Sequence, residues 1–240
     1  MKAFLLAGGH GTRLKPLTDS VPKCLLPIRG IPLLQIWLDL CRRHGINEIL
    51  INLHSHGQTV RRFIEENKSG LRVHLSEEEN LLGSAGTLHA NRDWVKEEKF
   101  FGVFYADVLT TADLGSMLSF HCRSEQMATI GVYEVPDPAR CGIALVDEGG
   151  IVRNFVEKPC VFLGNLAFSG LMLASPALLD EIPEQRPADL GFHVLPRLVD
   201  RMAAYRIADY LVDIGTLENY RAVQLTWPGV SRAQSGNQHD

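Results

Sequence analysis

A glycine cluster followed by cationic residues is the first place where this sequence could do chemistry. The stretch LLAGGHGTRLKPL places Gly8, Gly9 and Gly11 directly after a short apolar run, and Arg13 and Lys23 follow. Because glycine has no Cβ atom, the N–H groups of such a loop can surround an anion, and arginine adds a planar donor for phosphate oxygens. The pattern indicates a phosphate site, but it also fits a tight turn with solvated charges, and neither common phosphate-loop motif is present.

Two aspartates at the ends of apolar segments form a second candidate group. Asp107 ends the run FFGVFYAD, and Asp213 ends YLVD. A carboxylate at the end of a buried strand costs stability unless it has a partner. Two of them could share Mg²⁺, a hard cation that prefers oxygen ligands and can bridge phosphates. Either aspartate alone fits a turn or a helix cap equally well.

Alternating strand-like and helix-like segments must position these residues. Apolar runs predict strands, and helical periodicity with caps predicts helices. The predicted strands are 2–7, 46–53, 71–76, 99–106, 127–135, 142–147, 151–157, 166–174 and 210–214, and the predicted helices are 32–44, 57–67, 84–94, 176–182 and 191–201. The alternation in the first half predicts an α/β fold with a mixed, mostly parallel sheet and helices on both faces. Ligands bind beyond the carboxyl ends of the strands of such sheets.

Length and composition predict one packed domain. The chain has 240 residues, of which 45% are hydrophobic, so it can bury a full core. No stretch rich in Gly, Ser or Pro separates independent units, and we expect a single domain over residues 1–226. Residues 227–240 are polar and aperiodic and predict a loosely ordered tail.

Charge, hydropathy and cysteine usage exclude several classes of protein. With 24 basic and 28 acidic residues, the chain has no general attraction for nucleic acid or an anionic membrane. It contains no bilayer-spanning apolar run and no signal peptide, which predicts a cytoplasmic protein. The five cysteines include no CxxC pair, so neither a disulfide framework nor a zinc site is expected.

The spaced motifs resemble those of a known family. GGHGTRLKPLT followed by PKCLLP resembles the signature GGxGTRLxPLTxxxPKxLxP of the sugar-1-phosphate nucleotidylyltransferases, which make nucleoside diphosphate sugars. Five further segments follow in the family's order, namely LLGSAGTL, YAD, VEKP, NLAFSG and DIGTLENY. The resemblance implies a Rossmann-like sheet with a sugar-binding half. The sequence has no segment for the left-handed β-helix of bifunctional relatives, so acyl transfer is not expected.

The resemblance also implies roles for individual residues. Arg13 would stabilise the departing pyrophosphate, Lys23 would sit between the reacting phosphates, and Asp107 and Asp213 would hold Mg²⁺. The nucleotide-binding positions would be Leu6, Ala7, Gly8, Gly9, Gly11, Thr12, Glu78, Glu79, Gly83 and Gly86. The sugar-phosphate-binding positions would be Gly142, Glu157, Lys158, Asn165 and Phe168. The chain departs from the family at Ala106, where relatives have glycine, and at Phe168, where an apolar ring replaces an amide.

The sequence favours one pair of substrates and leaves a second pair as the first alternative. A carboxylate of Glu78 or Glu79 could accept from both N1–H and N2–H₂ of guanine, whereas uracil offers only N3–H. EEENLLGSAGTL resembles guanylyltransferases, which favours GTP with mannose-1-phosphate or a manno-configured heptose phosphate. LAFSGL and DIGTLE instead resemble uridylyltransferases, so UTP with N-acetylmuramate-1-phosphate or another hexose-1-phosphate is the alternative.

The second alternative is a non-catalytic nucleotide or sugar sensor of the same fold. Its mark would be the loss of Arg13, Lys23 or one aspartate of the candidate pair, and all four residues are present. The expected partners are therefore a nucleoside triphosphate and a sugar-1-phosphate. The sequence is also compatible with a homo-oligomer.

Overall fold

The computed structural model describes residues 1–67 and 69–229, which form thirteen strands and six α-helices. The strands are β1 (Lys2–Leu6), β2 (Pro27–Ile28), β3 (Ile31–Pro32), β4 (Glu48–Leu53), β5 (Arg72–Glu77), β6 (Phe101–Tyr105), β7 (Val108–Thr110), β8 (Ala128–Glu134), β9 (Gly142–Val146), β10 (Val152–Glu157), β11 (Leu166–Ala174), β12 (Met202–Arg206) and β13 (Leu211–Asp213). The helices are α1 (Leu33–Arg43), α2 (Gly57–Glu66), α3 (Ser84–Ala90), α4 (Arg92–Val95), α5 (Leu114–Ser124) and α6 (Leu217–Thr226).

A nine-stranded mixed sheet forms the centre of the molecule. Its main path is β10-β9-β11-β6-β1-β4-β5, and β8 lies between β11 and β12. Strands β5, β4, β1 and β6 pair in parallel, whereas β11 pairs antiparallel with β6, β8 and β9. Among the described strands of this sheet, β10 and β11 run against the others. The predicted mixed, mostly parallel sheet flanked by helices is therefore confirmed.

The core lies on both faces of this sheet because successive strand residues point to opposite sides. In β1, Ala3 and Leu5 belong to one buried cluster and Phe4 to the other. The first cluster packs against the apolar stripe of α1, and the second against α3 and the turns that follow β11. Trp37 of α1 donates from Nε1 to the carbonyl of Val108 at 2.9 Å, which fixes the start of β7.

The second half of the chain departs from the predicted elements. The segments 176–182 and 191–201 contain 3₁₀ turns at Pro176–Glu181 and Leu195–Leu198 and a π turn at Leu190–Val194. Prolines at 176, 183, 187 and 196 explain the absence of a long helix, because proline removes a donor and clashes with the preceding turn. Helices α5 and α6 and strand β12 were not predicted from the sequence, and the predicted helix 84–94 divides at Asn91.

The packed part of the chain continues past the predicted boundary at residue 226. Trp227 is buried, and its ring lies 5.3 Å from that of Tyr210. Its carbonyl accepts from Nη1 of Arg29 at 3.1 Å. Trp227 therefore belongs to the fold, and residues 230–240 of the predicted tail lie outside the described residues. In the described part of the chain, no helix combines the length and apolar character that a membrane crossing requires.

Candidate active site

The glycine loop leaves the carboxyl end of β1 and is held by its own turn. Gly11 has a φ of 63°, a left-handed conformation that favours glycine. Its carbonyl accepts from Leu14 N at 2.9 Å and from Oγ1 of Thr18 at 2.8 Å. The loop borders a cavity of about 310 Å³. It is called the phosphate cavity after the role that the sequence predicts for the glycine loop, and its lining residues are Leu6, Gly9, His10, Gly11, Thr12, Arg13, Lys23, Cys24, Asp107 and Gly215.

An ion pair connects the segment after the glycine loop to the turn that follows β6. Lys23 lies in a 3₁₀ turn after the loop, and Asp107 lies in the turn between β6 and β7. Lys23 Nζ is 2.5 Å from Asp107 Oδ2, and the Lys23 side chain is only 11% exposed. The fold thus fixes a cation and a carboxylate at the point where the candidate ligands would meet.

The two predicted metal-site aspartates are brought to one place by strand pairing. Strand β13 runs antiparallel to β7, with Asp213 opposite Val108. The Ile214 amide donates to the carbonyl of Asp107 at 3.0 Å, and both carboxylates line the same cavity. The pairing of two short strands therefore joins residues that are distant in sequence.

The environment of Asp213 favours a nearby positive charge. Its carboxylate opens to the cleft on one side, but loss of hydration on the other sides raises its pKa, and the negative charge of Asp107 raises it further. Lys23, the Gly215 amide and Arg13 act in the opposite direction. Oδ1 accepts from the Gly215 amide at 2.5 Å. A cation between the carboxylates would relieve this unfavourable charge.

A second cavity of about 230 Å³ adjoins the other side of the glycine loop. It is called the base cavity after the role that the sequence predicts for Glu78 and Gly83, and its lining residues are Leu6, Gly8, Gly9, Asn52, Glu78, Leu81, Gly83, Ser84, Tyr105 and Asp107. Gly83 has a φ of 79°, and a Cβ atom there would lie 2.3 Å from the carbonyl oxygen of Ala188. Glycine is therefore required at this position by the backbone of the neighbouring segment.

Several predicted nucleotide-binding residues either contact other parts of the protein or lie outside the base cavity. Glu78 is buried and hydrogen-bonded within the protein, whereas Glu79 is exposed and is not among the residues that line the base cavity. Gly86 packs against Arg186, and its amide donates to Ala188 O at 3.0 Å. The backbone amide of Ala7 is directed into the protein, where it donates to Oδ1 of Asn52 at 2.7 Å.

A third and larger cavity, of about 600 Å³, lies beyond the ion pair. It is called the sugar cavity after the role that the sequence predicts for several of its residues, and its lining residues are Arg13, Tyr105, Asp107, Val108, Tyr133, Arg140, Cys141, Gly142, Glu157, Lys158, Phe168, Ser169, Gly170, Asp189, Gly191, Leu211 and Asp213. It includes four of the five predicted sugar-phosphate-binding residues. The structure places Asn165 outside it, because this residue is exposed ahead of β11, where its carbonyl accepts from the Val135 amide at 2.9 Å.

Glu157 occupies a narrow slot in the sugar cavity. A Cβ atom on Gly142 would lie 2.5 Å from Glu157 Oε2, and one on Gly191 would lie 2.3 Å from the same oxygen. Burial raises the pKa of Glu157, the Lys158 ammonium lowers it, and the Asp189 carboxylate raises it. The two glycines therefore leave room for a carboxylate that is poised to accept hydrogen bonds from a ligand.

A change of partners along β11 brings Phe168 to the cavity wall. Ala167 pairs with Ile143 of β9, but from Leu171 onward the same edge pairs with β6. The register with β8 shifts between Phe168 and Met172, and Gly170 has a φ of 79°. The Phe168 ring lies 5.8 Å from that of Tyr105 in an edge-to-face arrangement. Phe168 is thus half-buried, with one face in the core and one on the cavity.

The sequence predictions missed several residues that line these cavities. They are Asn52, Tyr105, Tyr133, Arg140, Asp189 and Gly191. Asn52 had a visible signal, because it is an amide in the apolar run ILINL. Tyr105 belongs to the YAD motif, and the others became visible only when separate segments were placed side by side.

Several curated proteins are similar in sequence to this chain over most of its length. The chain is 32% identical over 228 residues to a probable mannose-1-phosphate guanylyltransferase 2 of Oryza sativa subsp. japonica, covering 92% of this chain and 63% of the relative. It is 33% identical over 227 residues to the mannose-1-phosphate guanylyltransferase catalytic subunit beta of Xenopus tropicalis, covering 92% and 62%. The chain therefore spans somewhat less than two thirds of the length of these relatives.

Solved structures share the fold. The structure of a putative glucose-1-phosphate thymidylyltransferase from Bacillus anthracis has a TM-score of 0.84 at 21% identity, covering 98% of both chains. HddC from Yersinia pseudotuberculosis has a TM-score of 0.79 at 24% identity, covering 93% of this chain and 97% of that one. Residues 2–227 match the family model described as Nucleotidyl transferase. The chain, with its glycine loop, paired aspartates and adjoining cavities, belongs to the nucleotidyl transferase family.

Proposed function

We propose that the protein transfers a nucleoside monophosphate from a nucleoside triphosphate, GTP in the first place, to a manno-configured sugar-1-phosphate and releases pyrophosphate. The observation that carries this proposal is the position of Asp107, which lines the phosphate, base and sugar cavities alike. A base, a triphosphate and a sugar phosphate in these three cavities would meet beside its carboxylate and the Lys23 ammonium.

The proposed reaction joins two polyanions and needs no nucleophile from the protein. A phosphate oxygen of the sugar-1-phosphate attacks the α-phosphorus of the triphosphate, and the bond to pyrophosphate breaks. Charge neutralisation and in-line positioning are the main contributions that a protein makes to such transfers. Arg13 lines both the phosphate and the sugar cavity, so its guanidinium is suited to bind the departing pyrophosphate.

The donor set at the cleft fits Mg²⁺. Asp107 and Asp213 offer carboxylate oxygens on the same cleft, and a cation between them would offset their mutual repulsion, which adds to the effect of lost hydration on the pKa of Asp213. Within residues 1–67 and 69–229 no group of three or more His, Cys, Asp or Glu side chains could hold a metal. Mg²⁺ is commonly held by one or two carboxylates together with substrate phosphates. When bound, Mg²⁺ would neutralise the phosphate oxygens.

The preference for GTP and a manno-configured sugar rests on similarity. The relatives from Oryza sativa subsp. japonica and Xenopus tropicalis both carry the name mannose-1-phosphate guanylyltransferase. The sugar cavity contains Glu157 and Asp189 for hydroxyl groups, whereas both carboxylate oxygens of Glu78 beside the base cavity already accept hydrogen bonds within the protein. UTP with N-acetylmuramate-1-phosphate or another hexose-1-phosphate is the competing pair.

A substrate panel tests the proposal. Pyrophosphate release is measured with GTP, UTP, ATP and dTTP, each with mannose-1-phosphate, a manno-heptose-1-phosphate, glucose-1-phosphate and N-acetylmuramate-1-phosphate in the presence of Mg²⁺. We expect the highest kcat/KM with GTP and a manno-configured sugar. A clear preference for UTP would overturn the guanine assignment. Nucleotide binding without pyrophosphate release from any pair would instead support a sensor.

A further inference from the structure

A buried polar network lies beneath the junction of the phosphate and base cavities. Oδ1 of Asn52, at the end of β4, accepts from the amides of Ala7 at 2.7 Å and Gly8 at 3.1 Å. Nδ2 of the same side chain donates to Glu78 Oε1 at 3.0 Å and to Thr87 Oγ1 at 3.3 Å. Asn52 is 6% exposed, Glu78 is 7% exposed and Thr87 is fully buried, so these contacts are largely shielded from solvent.

Each end of the Asn52 amide is matched to its partners. The oxygen faces two N–H donors, and the nitrogen faces a carboxylate. A reversed amide would set donors against donors and an oxygen against a carboxylate, so the partners define its orientation. The amide also touches the glycine loop closely, because a Cβ atom on Gly8 would lie 2.6 Å from Asn52 Nδ2.

Glu78 continues the network into the segment that borders the base cavity. Oε1 accepts from Thr87 Oγ1 at 2.5 Å, in addition to Asn52. Oε2 accepts from the Leu82 amide at 3.1 Å, and the next residue is Gly83, which lines the base cavity. Both carboxylate oxygens therefore already have donors within the protein.

We propose that Asn52 and Glu78 are positioning residues that hold the phosphate loop and the base-binding segment in one fixed geometry. Asn52 holds the first two amides of the loop, and Glu78 holds both Asn52 and the Leu82 amide. A nucleotide that spans the two cavities would then meet a preorganised surface, because neither segment has to reorder on binding. The part concerning the nucleotide rests on the proposed function. Glu78 thereby acts on the base through Leu82 and Gly83.

A reversal of hydrogen-bond polarity tests this proposal. Asn52→Asp keeps an acceptor for the loop amides but sets a carboxylate against Glu78. Glu78→Gln keeps the shape but introduces donors. In the double variant Asn52→Asp/Glu78→Gln, the glutamine amide can donate to the aspartate, and the net charge equals that of the wild type. Side-chain size is nearly unchanged throughout, so the three variants differ mainly in donor and acceptor pattern.

Two measurements follow the network, and the first does not depend on activity. Hydrogen exchange of the peptide containing Ala7 and Gly8 should be faster in Asn52→Asp and return toward the wild-type rate in the double variant. The Kd for GTP with Mg²⁺ should rise about 10- to 100-fold in the single variant, as expected for a displaced binding loop, and recover at least in part in the double variant. The melting temperature of each variant is measured alongside.

The outcomes separate the network from the function. Unchanged exchange in folded Asn52→Asp, or unchanged affinity for GTP, would overturn the positioning role. A double variant no better than the single variants would also overturn it, because simple loss of stability does not predict recovery. If the wild type binds neither GTP nor UTP, the proposed function fails, while the exchange measurement still decides whether Asn52 holds the loop.

Discussion

Lys23 and Asp107 form an ion pair of 2.5 Å between residues that lie 84 positions apart in the chain. The pair stands where the phosphate cavity meets the turn after β6, and Asp213 lies across the same cleft. Lys23 therefore compensates part of the negative charge that the two aspartates bring together. A substitution at one of these three residues should therefore change the charge balance of the cleft.

Replacing either aspartate with asparagine should remove turnover and keep the fold. For Asp107→Asn and Asp213→Asn we expect kcat to fall by about 100-fold or more, because an amide does not neutralise a cation as a carboxylate does. The melting temperature of Asp213→Asn should not fall, since its charge is unfavourable in the folded state. Mg²⁺ titrations of activity measure the effect, with Asp180→Asn, an exposed carboxylate, as the control. Mg²⁺-dependent activity close to the wild type in both variants would remove the pair from the site.

Arg13→Lys should lower kcat/KM although it leaves the charge unchanged. The planar guanidinium can bind two phosphate oxygens together, whereas the lysine ammonium acts as a point charge. We expect kcat/KM to fall by about 10- to 100-fold. Arg92→Lys, which alters a surface ion pair, is the matched control. If the two variants have the same kinetics, the glycine loop has a structural role only.

Phe168→Asn should change the preference for sugars more than the stability. The ring lies on the wall of the sugar cavity, and a substrate hydroxyl buried against it without a partner costs about 1–3 kcal/mol. An amide at this position should favour sugars with a polar group on the facing carbon. The measurement is kcat/KM across several sugar-1-phosphates together with the melting temperature. A sharp fall in melting temperature with an unchanged order of substrates would show that Phe168 serves the core.

His121 should make the protein less stable in mild acid. It is 5% exposed, its Nδ1 lies 2.8 Å from Thr129 Oγ1, and burial lowers its pKa. The unfolded chain therefore takes up a proton near the ordinary pKa of about 6.5, but the folded protein does so only at lower pH. Stability is lost as the pH falls from about 6.5 through the folded-state pKa, by at most about 1.4 kcal/mol per pH unit.

Denaturant unfolding between pH 5 and 8 measures this effect of His121. The slope below pH 6.5 should be smaller in His121→Leu than in the wild type. His10→Gln, which alters an exposed imidazole, should keep the wild-type slope. Equal slopes in all three proteins would mean that another group carries the pH dependence. His44 is a half-buried imidazole whose pKa is also lowered by burial, so some slope should remain in His121→Leu.

Local sequence patterns were sufficient for the main parallel strands and the first helix of the fold. Apolar runs and helical periodicity identified β1, β4, β6 and α1 to within two residues, because each pattern is repeated over one continuous segment. The glycine loop and the two strand-end aspartates were recognisable for the same reason. The turns at 176–198 were harder to predict, since apolar spacing resembled a helix that the prolines interrupt.

The tertiary structure alone decided which of these residues share a site. Asn52 and Glu78 are 26 positions apart, and they meet because β4 and β5 are parallel neighbours in the sheet. Glu157 fits between Gly142 and Gly191, which belong to different segments. Phe168 lies on the sugar cavity next to the register shift in β11, whereas Asn165 is exposed ahead of the strand. Such contacts depend on strand order and register, and these are set by the packing of the whole sheet rather than by any single segment.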